Sequence, residues 1–199
     1  HLVVRRGTLC IIAAAMWPIF HKFGSPPWLY AIAGSILRWL LPITLLALVT
    51  GAVWGLLFTQ PERIQGNSYR IIYIHVPAAV VALAGYYVMA LAGAVSLIWR
   101  MKMADVAMKA AAPVGAAFTF IALVTGAVWG KPTWGTWWVW DARITSMLIL
   151  FFLYLGVVAL YEAFDNKEAA SKACAVLSLV GTVNIPIIYK SVDWWYALH

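Results

Sequence analysis

The run Trp134-Gly135-Thr136-Trp137-Trp138-Val139-Trp140-Asp141-Ala142-Arg143 holds the densest chemistry in the sequence, and counting Trp129, five tryptophans fall within twelve residues. Placed on a helix, Trp134, Trp137, Trp138 and Asp141 share one face at i, i+3, i+4, i+7 spacing. That spacing predicts a short Trp-rich helix lying in a membrane interface. A clustered indole surface suits a large planar apolar ligand held by stacking and burial. An ordinary aromatic belt is the other reading, although a belt usually takes one or two rings per helix end. Asp141 has no second carboxylate near it in sequence, so capping, or pairing with Arg143 or Lys131, is its expected role rather than acid–base chemistry. Asp193, before Trp194-Trp195, is equally open.

Two histidines complete the set. His75 stands in Tyr73-Ile74-His75-Val76-Pro77, and His199 follows Trp194-Trp195. A planar ligand with two imidazoles points to haem, with His75 and His199 as axial ligands. Interfacial histidines that simply hydrogen-bond are the alternative. Haem propionates need cations, and guanidinium forks grip carboxylates in a bidentate way, so Arg70 and Arg143 are preferred over Arg63, Lys131 and Lys190. A neutral imidazole is the ligand, so binding weakens in acid.

The elements that must position these residues follow from composition. Of 199 residues, 64% are hydrophobic and only 11% charged, against ~25% charged in soluble domains. The fold class is therefore all-α, a polytopic membrane helix bundle. Five stretches free of charge approach the ~20 residues that span a bilayer, and in lipid such runs must be helices. The spans are expected at about 39–60, 74–99, 110–130, 144–161 and 173–189, forming one membrane domain over 39–199 after an N-terminal segment 1–38. Pro77 and Pro113 are expected in first turns, and Pro186 as a kink near Asn184. Residues 129–143 form an outer Trp-rich segment.

Counting Lys and Arg with the N-terminus inside puts nine on the inner side and five on the outer, which favours a cytoplasmic N-terminus. From His75 to the tryptophan run the chain crosses twice, and from there to His199 twice again. All three features therefore share one face whichever way the bundle is inserted. The octapeptide LVTGAVWG occurs at Leu48–Gly55 and at Leu123–Gly130. Each copy closes an apolar span, placing Trp54 and Trp129 at the same interface.

Several function classes are excluded or weakened. The net charge of +7 is scattered between apolar blocks, so no nucleic-acid stripe exists and membrane lipid is the expected partner of the surface. There is no C-x-x-C-H haem-attachment motif and no phosphate-binding G-x-x-x-x-G-K-[ST] loop. A b-type cytochrome subunit of a respiratory oxidoreductase would bury its histidines inside helices, whereas these lie at one edge. A small-solute permease would carry ionisable residues near mid-membrane, and none of the five predicted spans does. No nucleophile–base pair is visible, so a transport or chaperone-type role is expected rather than an enzyme.

At these residues the sequence resembles a known family. The stretch Trp129 to Arg143 is similar to the signature of the tryptophan-rich, or WWD, haem-handling membrane proteins. The stretches Gln65 to Ala79 and Ile185 to Tyr189 narrow the resemblance to the cytochrome c maturation protein C family. It covers roughly Met16 to His199. The resemblance implies a bacterial inner-membrane protein that holds haem b non-covalently at the periplasmic face, between the tryptophan segment and the two histidines matching His75 and His199. It implies cofactor contacts at Trp134, Trp137, Trp138, Trp140, Asp141, Arg70 and Arg143. It also implies partners: a periplasmic haem chaperone that receives the haem, the ATPase and membrane subunits of an ABC transporter, and a small single-span subunit. Six spans are expected for the family, a sixth following His199, and Met16-Trp17 is the expected native start, with residues 1–15 an extension.

Overall fold

The computed structural model describes residues 26–195. Within them, five helical runs are long and apolar enough to cross a bilayer: Tyr30–Phe58, Asn67–Trp99, Lys102–Trp134, Ala142–Ala163 and Lys167–Trp195. The helices are α1 (Pro26–Val53), α2 (Ile72–Trp99), α3 (Lys102–Trp134), α4 (Ala142–Ala163), α5 (Lys167–Gly181) and α6 (Asn184–Trp195). A π-helical turn, Trp54–Phe58, extends α1, and a 3-10 turn, Asn67–Ile71, leads into α2. Each run outlasts its charge-free window because helices carry charged residues past the hydrocarbon. Arg38 lies within α1, and Lys102 and Lys109 within α3; such side chains reach the polar layer along their apolar stems.

Two compact units divide the chain, residues 1–47 and 48–199. In the first, the described residues are all part of α1, and its large apolar side chains, such as Trp39 and Leu46, are exposed. A helix hydrophobic all round faces lipid rather than water.

The second unit holds the packed core. There α2 packs on α3 and α5, and α4 packs on α3, α5 and α6. Small residues let these helices approach closely, as membrane helices require in the absence of a hydrophobic drive between them. Tyr154 of α4 lies over Gly115 of α3, its hydroxyl donating to the Ala82 carbonyl of α2 at 2.7 Å. Tyr86 of α2 meets Tyr154 edge-on, with ring centroids 5.1 Å apart, and lies against Gly181 of α5. At the turns that join α2 to α3 and α4 to α5, the hydroxyls of Ser96 and Ser171 both donate to Asp105 Oδ1, and the Tyr161 hydroxyl donates to the Asp105 carbonyl at 3.1 Å. One aspartate thus ties α2, α3, α4 and α5 together at that end.

Three local expectations are corrected. The tryptophan-rich segment is not a short helix: α3 runs to Trp134 and ends on Gly135, whose left-handed φ of 81° and bond to the Lys131 carbonyl close it. Asp141 then caps α4, so only a short non-helical link remains between two helix ends. Helical spacing within it was coincidental. Pro77 and Pro113 lie inside α2 and α3 rather than in their first turns, each removing one i→i−4 bond. The fifth run breaks at Thr182–Val183, ahead of Pro186, which falls in the first turn of α6, where its missing N–H costs nothing. Asn184 secures the break by donating Nδ2–H to the Ser146 carbonyl at 2.8 Å.

Candidate functional site

At the end opposite Asp105, the start of α2, the end of α3, the start of α4, and α6 enclose a cavity of about 270 Å³. Its walls are apolar, with Ala79, Leu83, Ala122 and Met147 among them, and its polar side chains are few. His75 enters from α2, Trp137 and Trp138 from the link, Arg143 from α4 and Tyr189 from α6. Pieces separated by more than a hundred residues of sequence meet here because an even number of helical runs separates each from the next. A mostly apolar cavity with few convergent polar groups is the usual form of a small-molecule site.

His75 Nδ1 lies 3.0 Å from Thr125 Oγ1, and its ring meets that of Trp129 edge-on at 5.8 Å. Trp129 is itself fixed, its Nε1–H donating to Gln65 Oε1 at 2.9 Å. Gln65 belongs to the loop that follows the first run. That loop folds on itself through the Glu62–Gly66 bridge and through Glu62 Oε2, which accepts from the amides of Gln65 and Ile64. These amides hold the Glu62 carboxyl below the usual carboxylate range. Because the link is extended, successive indoles do not share one face. Trp138 is half-buried, with its Nε1–H buried and without a hydrogen-bond partner among the described residues, whereas Trp137 is 57% and Trp140 74% exposed. Trp138 and Trp140 meet edge-on at 5.4 Å.

The remaining predicted residues sit around this centre. Trp134 packs its ring against Gly130 at the end of α3. Asp141 accepts from the Ile144 amide at 2.7 Å as N-cap of α4; Asp141→Ala is expected to cost about 1 kcal/mol, read as a lowered melting temperature. Arg70 stands apart from the cavity lining and donates Nη2–H to the Thr59 carbonyl at 2.6 Å. His199 lies outside the described residues. Sequence reasoning missed Thr125 and Gly126 beside His75, and Ile188 and Tyr189 on α6. A signal for the first pair existed, since both belong to the second octapeptide copy.

Comparison with known proteins gives the chain its relatives. The family described as Heme exporter protein C matches residues 19–199. Heme exporter protein C of Escherichia coli (strain K12) is 54% identical over 184 residues, which is 92% of this chain and 75% of the relative. The Haemophilus influenzae protein of the same name is 50% identical over the same shares. That of Rhodobacter capsulatus is 43% identical over 179 residues, 89% of this chain and 74% of the relative. With a family match over nearly its whole length, set on a five-run helical bundle, the chain belongs to the haem exporter protein C family.

Proposed function

We propose that the chain holds haem b at the periplasmic face of the bacterial inner membrane, N-terminus cytoplasmic, and passes it to a periplasmic haem chaperone. The observation that carries this reading is the meeting of His75, Trp137, Trp138 and Arg143 in one apolar cavity. The donor set fits: an imidazole for iron, indoles for a flat ring, a guanidinium for a carboxylate. The buried Trp138 Nε1–H, lacking a hydrogen-bond partner, is a donor waiting for a polar ligand atom. When bound, haem supplies the iron that the imidazoles ligate.

Each residue then has a task. His75 and His199 would each hold the iron through a ring nitrogen. Trp137 and Trp138 would cover the ring and exclude water, and Arg143 would orient a propionate. Trp134 and Asp141 fix the two ends of the link, while Trp140 and Arg70 extend the contact surface outward. At about 270 Å³ the cavity lies below the ~300–1,000 Å³ of most ligand pockets, so it would enclose a bound haem only in part. Partial enclosure suits a cargo that must be handed over. The names of the relatives support export by a complex, and the ABC subunits and a small single-span protein are its proposed other members.

Titrating the purified, detergent-solubilised protein with haem tests the reading. Saturation at one haem per chain with a low-spin spectrum is expected. Removing two stacking indoles should remove roughly 1–3 kcal/mol, so a Trp137→Ala, Trp138→Ala variant is expected to bind about 10–100-fold more weakly. Parent-like affinity in that variant would sink the assignment.

A further inference from the structure

The imidazole of His75 rests in a cradle made by the second octapeptide copy. Thr125 Oγ1 stands 3.0 Å from His75 Nδ1, 2.6 Å from the Ile121 carbonyl oxygen and 3.2 Å from that of Ala122. A hydroxyl has a single proton, and carbonyl oxygens can only accept. The shortest contact takes that proton, so Thr125 donates to Ile121 and offers His75 a lone pair. The proton in the 3.0 Å bond therefore belongs to Nδ1. Neutral imidazole protonated at Nδ1 keeps its lone pair on Nε2.

Gly126 sets how closely the ring can approach. A Cβ there would stand 3.1 Å from His75 Cε1, tighter than side chains normally allow. Trp129, anchored through Gln65, closes the third side. We propose that Thr125 is the positioning residue of the site: its hydroxyl fixes the Nδ1–H tautomer of His75 and so presents Nε2 as the nitrogen that ligates iron. The proposal rests on the haem reading above. Hydrogen bonds from a ligating histidine to an outer partner commonly set tautomer and orientation, and losing one costs ~10–100-fold in metal affinity.

The tautomer can be read without haem. Nitrogen-15 NMR of histidine-labelled, haem-free protein in detergent, with the His75 signals assigned by their loss in His75→Ala, distinguishes a protonated from a bare ring nitrogen. The parent is expected to show Nδ1 protonated and Nε2 bare. Thr125→Val, which keeps the shape and removes the hydroxyl, is expected to shift the population toward Nε2–H and to bind haem ~10–100-fold more weakly, while Thr125→Ser restores both. A far-ultraviolet helix signal matching the parent certifies each variant, and Thr125→Ala repeats the test should the valine variant misfold. A parent already protonated at Nε2, or a hydroxyl-free variant with the parent tautomer, overturns the proposal and leaves the haem reading standing. Parent-like haem binding by His75→Ala overturns the haem reading and takes the proposal with it.

Discussion

His75→Ala is expected to weaken haem binding by more than ~100-fold, beyond the range for losing an outer partner of a metal ligand, while leaving the helices intact. The expectation of a preserved fold is structural. His75 lies at the cavity wall rather than among the fully buried side chains, and its ring hydrogen-bonds the Thr125 hydroxyl. Thr125 keeps its own bond to the Ile121 carbonyl at 2.6 Å when the imidazole is gone, so truncation leaves that hydroxyl paired. The space vacated beside Gly126 and Trp129 has the shape of an imidazole. Added imidazole should re-enter it and recover part of the low-spin spectrum. Absorbance titration with and without imidazole checks both halves, and a variant that binds haem as the parent does would remove His75 from the iron.

Gly115→Ala is expected to destabilise the bundle by on the order of 3 kcal/mol, combining overpacking with a lost buried hydrogen bond. On an isolated helix the same change would gain up to ~1 kcal/mol. Here the new Cβ would stand 2.1 Å from both Cε1 and Cζ of Tyr154, and that ring has nowhere to go. Its hydroxyl is held by the Ala82 carbonyl and its face by Tyr86. Moving it would leave a phenol unpaired between helices. Gly51→Ala is the control, because a Cβ there meets nothing within 4 Å, and it should be neutral or slightly stabilising. Thermal unfolding in detergent followed by circular dichroism separates the two, and equal behaviour would refute the packing account. Pairing Gly115→Ala with Tyr154→Ala should recover part of the loss, since the two side chains compete for one volume.

The bundle was legible in the sequence because lipid leaves helices as the only way to satisfy the backbone, and charge-free runs are hard to misread. Parity of crossings was equally informative: it put His75 and the tryptophan segment on one face, and they line one cavity. The ends of elements were less legible. A window bounded by the first lysine stops short where the helix continues on a snorkelling side chain, as at Lys102 and Lys109. Spacing misled at Trp134 to Asp141, where one left-handed glycine outweighed helical periodicity. Thr125 was marked only by its place in the repeated octapeptide, which does not tell what it touches. A threonine in an apolar run reads as satisfied by its own helix, and only the crossing of α2 shows that its second lone pair meets an imidazole.

The repeated octapeptide has a consequence for anyone reading mutational data on this chain. In the second copy Thr125 and Gly126 touch His75 and Trp129 is bonded to Gln65, whereas in the first Gly51 faces open space and Trp54 is 66% exposed. Two identical words therefore carry opposite tolerance to misspelling. A substitution scan should find the later word nearly immutable and the earlier one permissive up to its last letter, Gly55, which is pressed against Tyr73. Any predictor that scores residues from their neighbours in sequence must assign both words one value, and will be wrong about one of them.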